Sequence, residues 1–199
     1  MSGTRTRLNT ADRKTLLLRA TCHVIARRGV RGLRVEDVAA KAEVSTTLLY
    51  YHFTNRAGLL AATMEYVNDR AGSYTAAPAG LTGRQQLLHQ LLAEFQDTDE
   101  VRDNSAVWNE FRATAVFDPS LHDIAKAATG TWNADIADTI ARGQADGSIG
   151  SGVDPGSTAE RLTALVEGLS NRWLTGMLGT DRAHQQVRTA LDKECPLGS

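Results

Sequence analysis

Residues 45–53 read Ser-Thr-Thr-Leu-Leu-Tyr-Tyr-His-Phe. Three aliphatic hydroxyls, two phenols and an imidazole stand within nine residues, and none of them is acidic. Leu49 and Phe53 lie four apart, as on one side of a helix. At about 100° per residue, Phe53 falls about 40° from Leu49, while Thr47, Tyr51 and Leu48 fall roughly 160–260° round the axis. Leu49 and Phe53, helped by Val44, therefore anchor a short helix, and Thr47, Leu48 and Tyr51 project outward. Tyr50 and His52 flank the anchored stripe.

That outward face has the chemistry of a major-groove reader. A threonine can hydrogen-bond a base edge and offer its methyl group, and an exposed leucine can meet a thymine methyl. Tyrosine hydroxyls, His52 and Arg56 suit phosphate oxygens, which set register more than sequence. The N-terminal end of the helix, at Ser45 and Thr46, adds backbone N–H groups that favour an anion. Plainer readings stand beside these: Tyr50 as a packing residue, His52 as a helix cap, Leu48 as an ordinary exposed leucine.

So short a helix is unstable alone, and its neighbours must hold it. The pattern is helical nearly throughout, with no convincing strand. A first helix begins after Asn9, with Asp12 completing a capping-box-like pair or Thr10 serving as cap, and ends at Gly29. Helices follow over Val35–Ala42 and Thr46–Phe53, the second capped by Ser45. The three-residue link between them makes a helix-turn-helix. A fourth helix runs from Arg56 to Ser73, and "TAAPAGLTG" (75–83) breaks the chain. A fifth spans Arg84–Gln96, and "DTDEVRDN" reads as a polar turn. A sixth holds Val107, Trp108, Phe111 and Ala115. A seventh starts near Asp118-Pro119, and "DGSIGSGVDPG" ends it. An eighth opens on Asp154 and Pro155, and a ninth spans Arg182–Lys193. The expectation is an all-α protein of about nine helices.

The net charge of −1 conceals an asymmetry. Residues 1–58 hold eleven Lys and Arg against four Asp and Glu, a net +7. The other 141 hold eleven basic and nineteen acidic residues, a net −8. A basic head on an acidic body suggests that the head meets a polyanion. Arg5 and Arg7, on an N-terminal arm, are suited to a minor groove or the DNA backbone. No apolar run reaches the ~18–20 residues of a membrane span. The N-terminus lacks the apolar stretch of a secretory signal, so a cytoplasmic location is expected. Cys22 and Cys195 stand in no metal or redox motif; Cys22 is expected in a buried helix face and Cys195 in a frayed tail.

Residues 34–64, "RVEDVAAKAEVSTTLLYYHFTNRAGLLAATM", resemble the DNA-binding signature of TetR-type transcriptional regulators. Val35, Val38 and Ala39 match its second helix, Val44-Ser45 its turn, and Leu49-Tyr50 with His52-Phe53 its recognition helix. Two positions depart from it. Arg34 stands where the family usually has Thr or Ser, so the second helix is expected to lack a hydroxyl cap, with Arg34 free for phosphate. Glu43 stands where the family usually has Gly, and a left-handed conformation there costs about 1–2 kcal/mol. The resemblance implies a head over residues 1–58 and an effector-binding, dimerising helical body over 59–199.

The body shows no phosphate loop, nucleophile elbow, zinc motif or paired carboxylates, so no cofactor or catalytic role is expected. By resemblance, Met64, Phe95, Trp108, Phe111, Trp132 and Ile136 are candidate walls of an effector cavity. Arg112, Asn133, Asp135 and Asn171 are candidate polar contacts. The same aromatics could be plain core. The expected effector is apolar or aromatic, and a tryptophan cluster could also box an ammonium cation. The resemblance further implies a homodimer through helices eight and nine. That dimer would set two reading helices on a palindromic operator and release it on effector binding. Two rivals are an enzyme or carrier with a vestigial helix-turn-helix, and an architectural DNA-binding protein without an effector.

Overall fold

The computed structural model describes residues 10–198. Among them the chain forms α1 (Thr10–Arg28), α2 (Val35–Lys41), α3 (Thr46–His52), α4 (Arg56–Thr75), α5 (Gly83–Ala93) and α6 (Asp99–Ala115). A 3-10 turn (Pro119–Leu121) leads into α7 (His122–Ala145), α8 (Pro155–Leu174) and α9 (Thr180–Glu194), with no strand among the described residues. The expected arm with Arg5 and Arg7, and the Asn9 cap, lie outside them.

Caps written in the sequence set most boundaries. Ser45 accepts the Leu48 N–H at 3.3 Å, and Asn55 accepts that of Gly58 at 2.8 Å. Thr82 and Gln85 form a reciprocal capping box, and Asp154 precedes Pro155 at the first position of α8. The segment expected as a polar turn is mostly helix: Thr98 caps α6, which already runs from Asp99. Its acidic start, Asp99 and Glu100, suits the positive end of the helix dipole, while Val101 and Asn104 are buried one turn on. Helix α5 stops at Ala93, three residues short of expectation, and Glu94 forms its C-cap. Cys195 is buried and no frayed tail: Arg84 donates to its carbonyl at 3.1 Å, and Gly150 donates to that of Pro196 at 2.9 Å. Gly176 has φ 75 just past the end of α8 and acts as its helix stop.

Two apolar clusters fill the molecule. The first joins α1, α2 and α3 to α4 and to Val107, Trp108, Phe111 and Ala115 of α6, thus crossing residue 58. The second joins α5, α7, α8 and α9, with Phe95 edge-on to Trp173 at 5.9 Å. Helices α5 and α7 cross where Gly83 meets Gly143; a Cβ on Gly83 would strike the Gly143 backbone.

The seam between head and body is polar and specific. Glu110, on α6, accepts the Val30 N–H at 3.0 Å through Oε1, the atom that Thr114 also donates to at 3.2 Å. Gly29, with φ 73, lets the chain turn under that carboxylate, since a Cβ there would lie 2.6 Å from Glu110 Oε1. Arg56 donates to the Val30 carbonyl at 2.6 Å, pinning the start of α4 to the same loop.

In the turn between α2 and α3, Glu43 has φ 55, a strained conformation for a side chain with a Cβ. Arg34, at the N-cap of α2, makes no side-chain cap bond. Glu43→Gly should therefore raise stability. Relief of about 1–2 kcal/mol, less the roughly 0.5–1 kcal/mol entropy cost of glycine, leaves a gain of up to about 1.5 kcal/mol. Thermal or urea unfolding checks the sign.

Candidate nucleic-acid interface and effector cavity

Helix α3 presents the face that its angular pattern predicts. Leu49 and Phe53 are buried at 1% and 3% exposure, docked into the first cluster with Val38. Thr47 is exposed, Tyr50 is 54% exposed and Tyr51 is 77% exposed, so neither phenol packs in the core. Leu48, Thr46 and His52 are half-buried, and Ser45 is exposed. The His52 ring stands edge-on to Tyr51 at 5.2 Å. Arg34 is exposed beside this surface. Arg56 is exposed as well, but one of its guanidinium N–H groups is already spent on Val30. Two large exposed aromatic rings on a seven-residue helix, in a head of net +7, describe a surface built to be covered by a polyanion.

In the body, a cavity of about 250 Å³ opens between α4, α5, α6, α7 and α8. Of the ten residues expected from sequence, it gathers Trp108, Arg112, Trp132, Asp135 and Ile136. Met64 and Phe111 instead lie in the first apolar cluster, and Phe95 lies in the second, against Trp173 and His184. Asn133 is engaged elsewhere, accepting from Thr163 Oγ1 at 2.7 Å, and Asn171 faces solvent. Helical periodicity does not separate a wall residue from a core residue on the next face, which explains these misses.

The lining is acidic. Glu94, Asp135, Asp138 and Glu167 stand against Arg112 and Arg142. Arg112 pairs with Glu167 at 3.1 Å and lies over the Trp108 ring at 5.1 Å. Arg142 donates to Thr139 Oγ1 at 2.6 Å. Asp135, Asp138 and Arg142 are exposed at the mouth, while Ser105, Trp108, Ile136, Val166 and Ser170 are buried deeper. Burial lowers the Arg112 guanidinium from its usual value, and the Glu167 charge opposes that.

Glu94 was missed by sequence reasoning, as were Gln90, Asn68 and Glu167. Burial pushes the Glu94 carboxyl up to about 7. Its hydrogen-bond partner is Tyr74, whose hydroxyl donates to Oε2 at 3.1 Å. Asn104 donates to the Tyr74 oxygen at 3.0 Å and to the Val67 carbonyl at 3.2 Å, fixing the phenol's direction. One turn before Glu94, the buried Oε1 of Gln90 has no hydrogen-bond partner among the described residues. The available signal was a carboxylate and an amide four apart inside the apolar run Leu87–Phe95.

Known proteins agree with both halves. The family described as "Bacterial regulatory proteins, tetR family" matches residues 17–63, and "BetI-type transcriptional repressor, C-terminal" matches residues 83–196. The HTH-type transcriptional regulator BetI of Burkholderia mallei is 28% identical over 173 residues, covering 83% of this chain and 82% of its own. A solved structure from Rhodococcus sp., described as a TetR-family transcriptional regulator, is 46% identical, with a TM-score of 0.90. It covers 93% of this chain and 99% of its own. A transcriptional regulator from Saccharomonospora viridis, solved in complex with choline, is 25% identical with a TM-score of 0.74, covering 94% and 98%. TetR-family regulators bind DNA and small-molecule effectors and act as dimers. No described helix is long and apolar enough to cross a membrane. The vestigial-enzyme and architectural rivals give way to these matches: the chain belongs to the TetR family, with a BetI-type C-terminal half, and is a ligand-responsive DNA-binding repressor and not an enzyme.

Proposed function

We propose that the chain is a dimeric cytoplasmic repressor released from its operator by a small quaternary-ammonium cation. The observation that carries the effector class is the cavity, where two tryptophans share a small volume with four carboxyls and only two guanidiniums. An ammonium that has shed its hydration gains from the face of an indole, and carboxylates supply the counter-charge. At about 250 Å³ the cavity is slightly smaller than the usual drug-sized pocket, in keeping with a compact ligand. The choline complex of the S. viridis regulator supports the same class.

The reading divides the protein into a head, residues 1–58, and a body, 59–199. Arg34, Ser45, Thr46, Tyr50, His52 and Arg56 hold phosphate, and Thr47, Leu48 and Tyr51 face the base edges. The dimer forms through α8 and α9. Ala164 and Gly168 are exposed along α8, no atom lies within 4 Å of a Cβ added to Gly168, and Met177 beyond its end is 75% exposed. Two copies of α3 then meet successive major grooves of a palindrome. The signal passes through α6. Trp108 and Arg112 stand on its cavity side, and Glu110, between them in sequence, holds the Val30 loop from the other. A ligand that fits the cavity better in the released state shifts the heads by that difference in affinity.

Two outcomes test this. On operator DNA, Thr47→Ala or Leu48→Ala should cost about 1–3 kcal/mol and relax preference at particular base pairs. Arg34→Ala should instead weaken all sequences alike and lower the salt slope by about 1. Anisotropy titrations over a set of operator variants and salt concentrations read both, and a flat salt response would contradict DNA reading. In calorimetry, choline should bind while its neutral carbon analogue 3,3-dimethylbutan-1-ol binds at least about tenfold more weakly, and Trp108→Ala should weaken choline by about tenfold or more. Equal binding of the two ligands would remove the cationic class.

A further inference from the structure

Glu94 is in an unusual position for a carboxyl. It caps the C-terminal end of α5, where the helix dipole is negative and carbonyls go unpaired. It lines the cavity and, among the described residues, forms no ion pair within 4 Å and accepts one side-chain hydrogen bond, from Tyr74. The guanidinium of its nearest basic neighbour, Arg112, is bonded to Glu167. Gln90 Oε1, one turn earlier on the same helix, is a further buried acceptor, and it has no donor among the described residues. This wall of the cavity has acceptors in excess and lacks positive charge. A buried carboxylate without a counter-charge takes up a proton.

Resting on the cationic-effector reading, we propose that Glu94 is the group that selects a cation in this cavity, and that it gives up a bound proton when the cation enters. Below neutral pH the empty protein holds Glu94 mostly as the neutral acid. The incoming ammonium supplies the missing positive charge, the O–H bond of the carboxyl breaks, and the proton leaves to solvent. The charge in the cavity is thus conserved: one proton out, one monovalent cation in. A neutral ligand of the same shape cannot drive that exchange.

The surroundings define the expected pH profile. Tyr74 on α4 donates to Glu94 and favours its charged form. Arg112 on α6 does likewise at longer range. From α7 come Asp135, Asp138 and Arg142, and from α8 Glu167, whose charge is matched by Arg112. His184 on α9 lies behind the end of α5, bonded to the Leu92 and Phe95 carbonyls. The carboxyl is pushed up by burial to about 7, so the ionised fraction rises through neutral pH. Since the cation needs that fraction, its apparent affinity should fall about tenfold between pH 8 and pH 6. Linkage gives the matching sign for the empty protein. Its native state binds more protons than the unfolded chain between the ordinary carboxylate value and about 7, so this group's contribution to stability declines as pH rises through that window.

The experiment is calorimetric titration of the full-length protein with choline and with tetramethylammonium at pH 6, 7 and 8. Two buffers of different ionisation enthalpy are used at each pH. The expected result is release of more than half a proton per cation at pH 6, declining towards zero at pH 8, with the tenfold change in affinity. Glu94→Gln should bind the cation with no proton release and a flat pH profile, its folding checked by circular dichroism. Tyr74→Phe, which removes the donor that favours ionised Glu94, should move the binding midpoint to higher pH. A wild type that binds the cation without releasing protons, or a Glu94→Gln variant that still releases them, would overturn the Glu94 exchange and leave the cationic effector standing. Failure of the wild type to bind either cation at any of the three pH values would overturn both.

Discussion

Helix α6 serves two sites at once, and the bond between Glu110 and the Val30 N–H is where they meet. On one side α6 contributes Trp108 and Arg112 to the cavity wall. On another it buries Val107 and Phe111 in the cluster that also holds α1, α2 and α3. Glu110 closes the remaining gap with a charge-assisted hydrogen bond into the loop after α1, and a Cβ at Gly29 would block its approach. Arg56 holds the same loop from α4. The reading head is thus fixed to the body by a few directional bonds as well as by apolar packing. A packed helix has discrete seats more than a continuum of them, and on the proposed reading a shift imposed at Trp108 reaches Val30 through this contact.

The charge distribution gives the two ends opposite tasks. The head carries +7, which suits DNA, and on the proposed reading the carboxyls lining the cavity in the −8 body favour a cation. An acidic body near DNA also opposes non-specific adhesion, which leaves the orientation of the protein on DNA to the head. Within the cavity, burial raises the Glu94 carboxyl. On the proposed exchange, that makes the loaded state depend on positive charge and not on fit alone.

Much of this was legible in the sequence. The division of α3 into Leu49 and Phe53 below and Thr47 and Tyr51 above followed from helical angles, because a short docked helix has one buried stripe and little freedom. The caps at Ser45, Thr82 and Asp154 marked helix starts through side-chain chemistry that acts over three residues. The strain at Glu43 was visible as a side chain where the family uses glycine. The cavity was half legible, since which face of α4, α5 or α6 opens inward depends on crossing angles set by distant contacts such as Gly83 on Gly143. Hence Trp108, Trp132 and Arg112 were found, Met64, Phe95 and Phe111 lie in the core, and Glu94 was not singled out. Cys195 was misjudged for the same reason, because the contacts that bury it come from α5 and the α7–α8 loop.

On the proposed reading, cavity and head share one equilibrium through α6. Operator affinity measured with and without saturating choline, in the wild type and in Glu110→Ala, tests this. Choline should weaken the wild type's grip on the operator by about tenfold or more. In Glu110→Ala the cation should still bind, but most of that weakening should be lost. A variant that releases the operator as fully as the wild type, or a wild type whose operator affinity ignores bound choline, would contradict it.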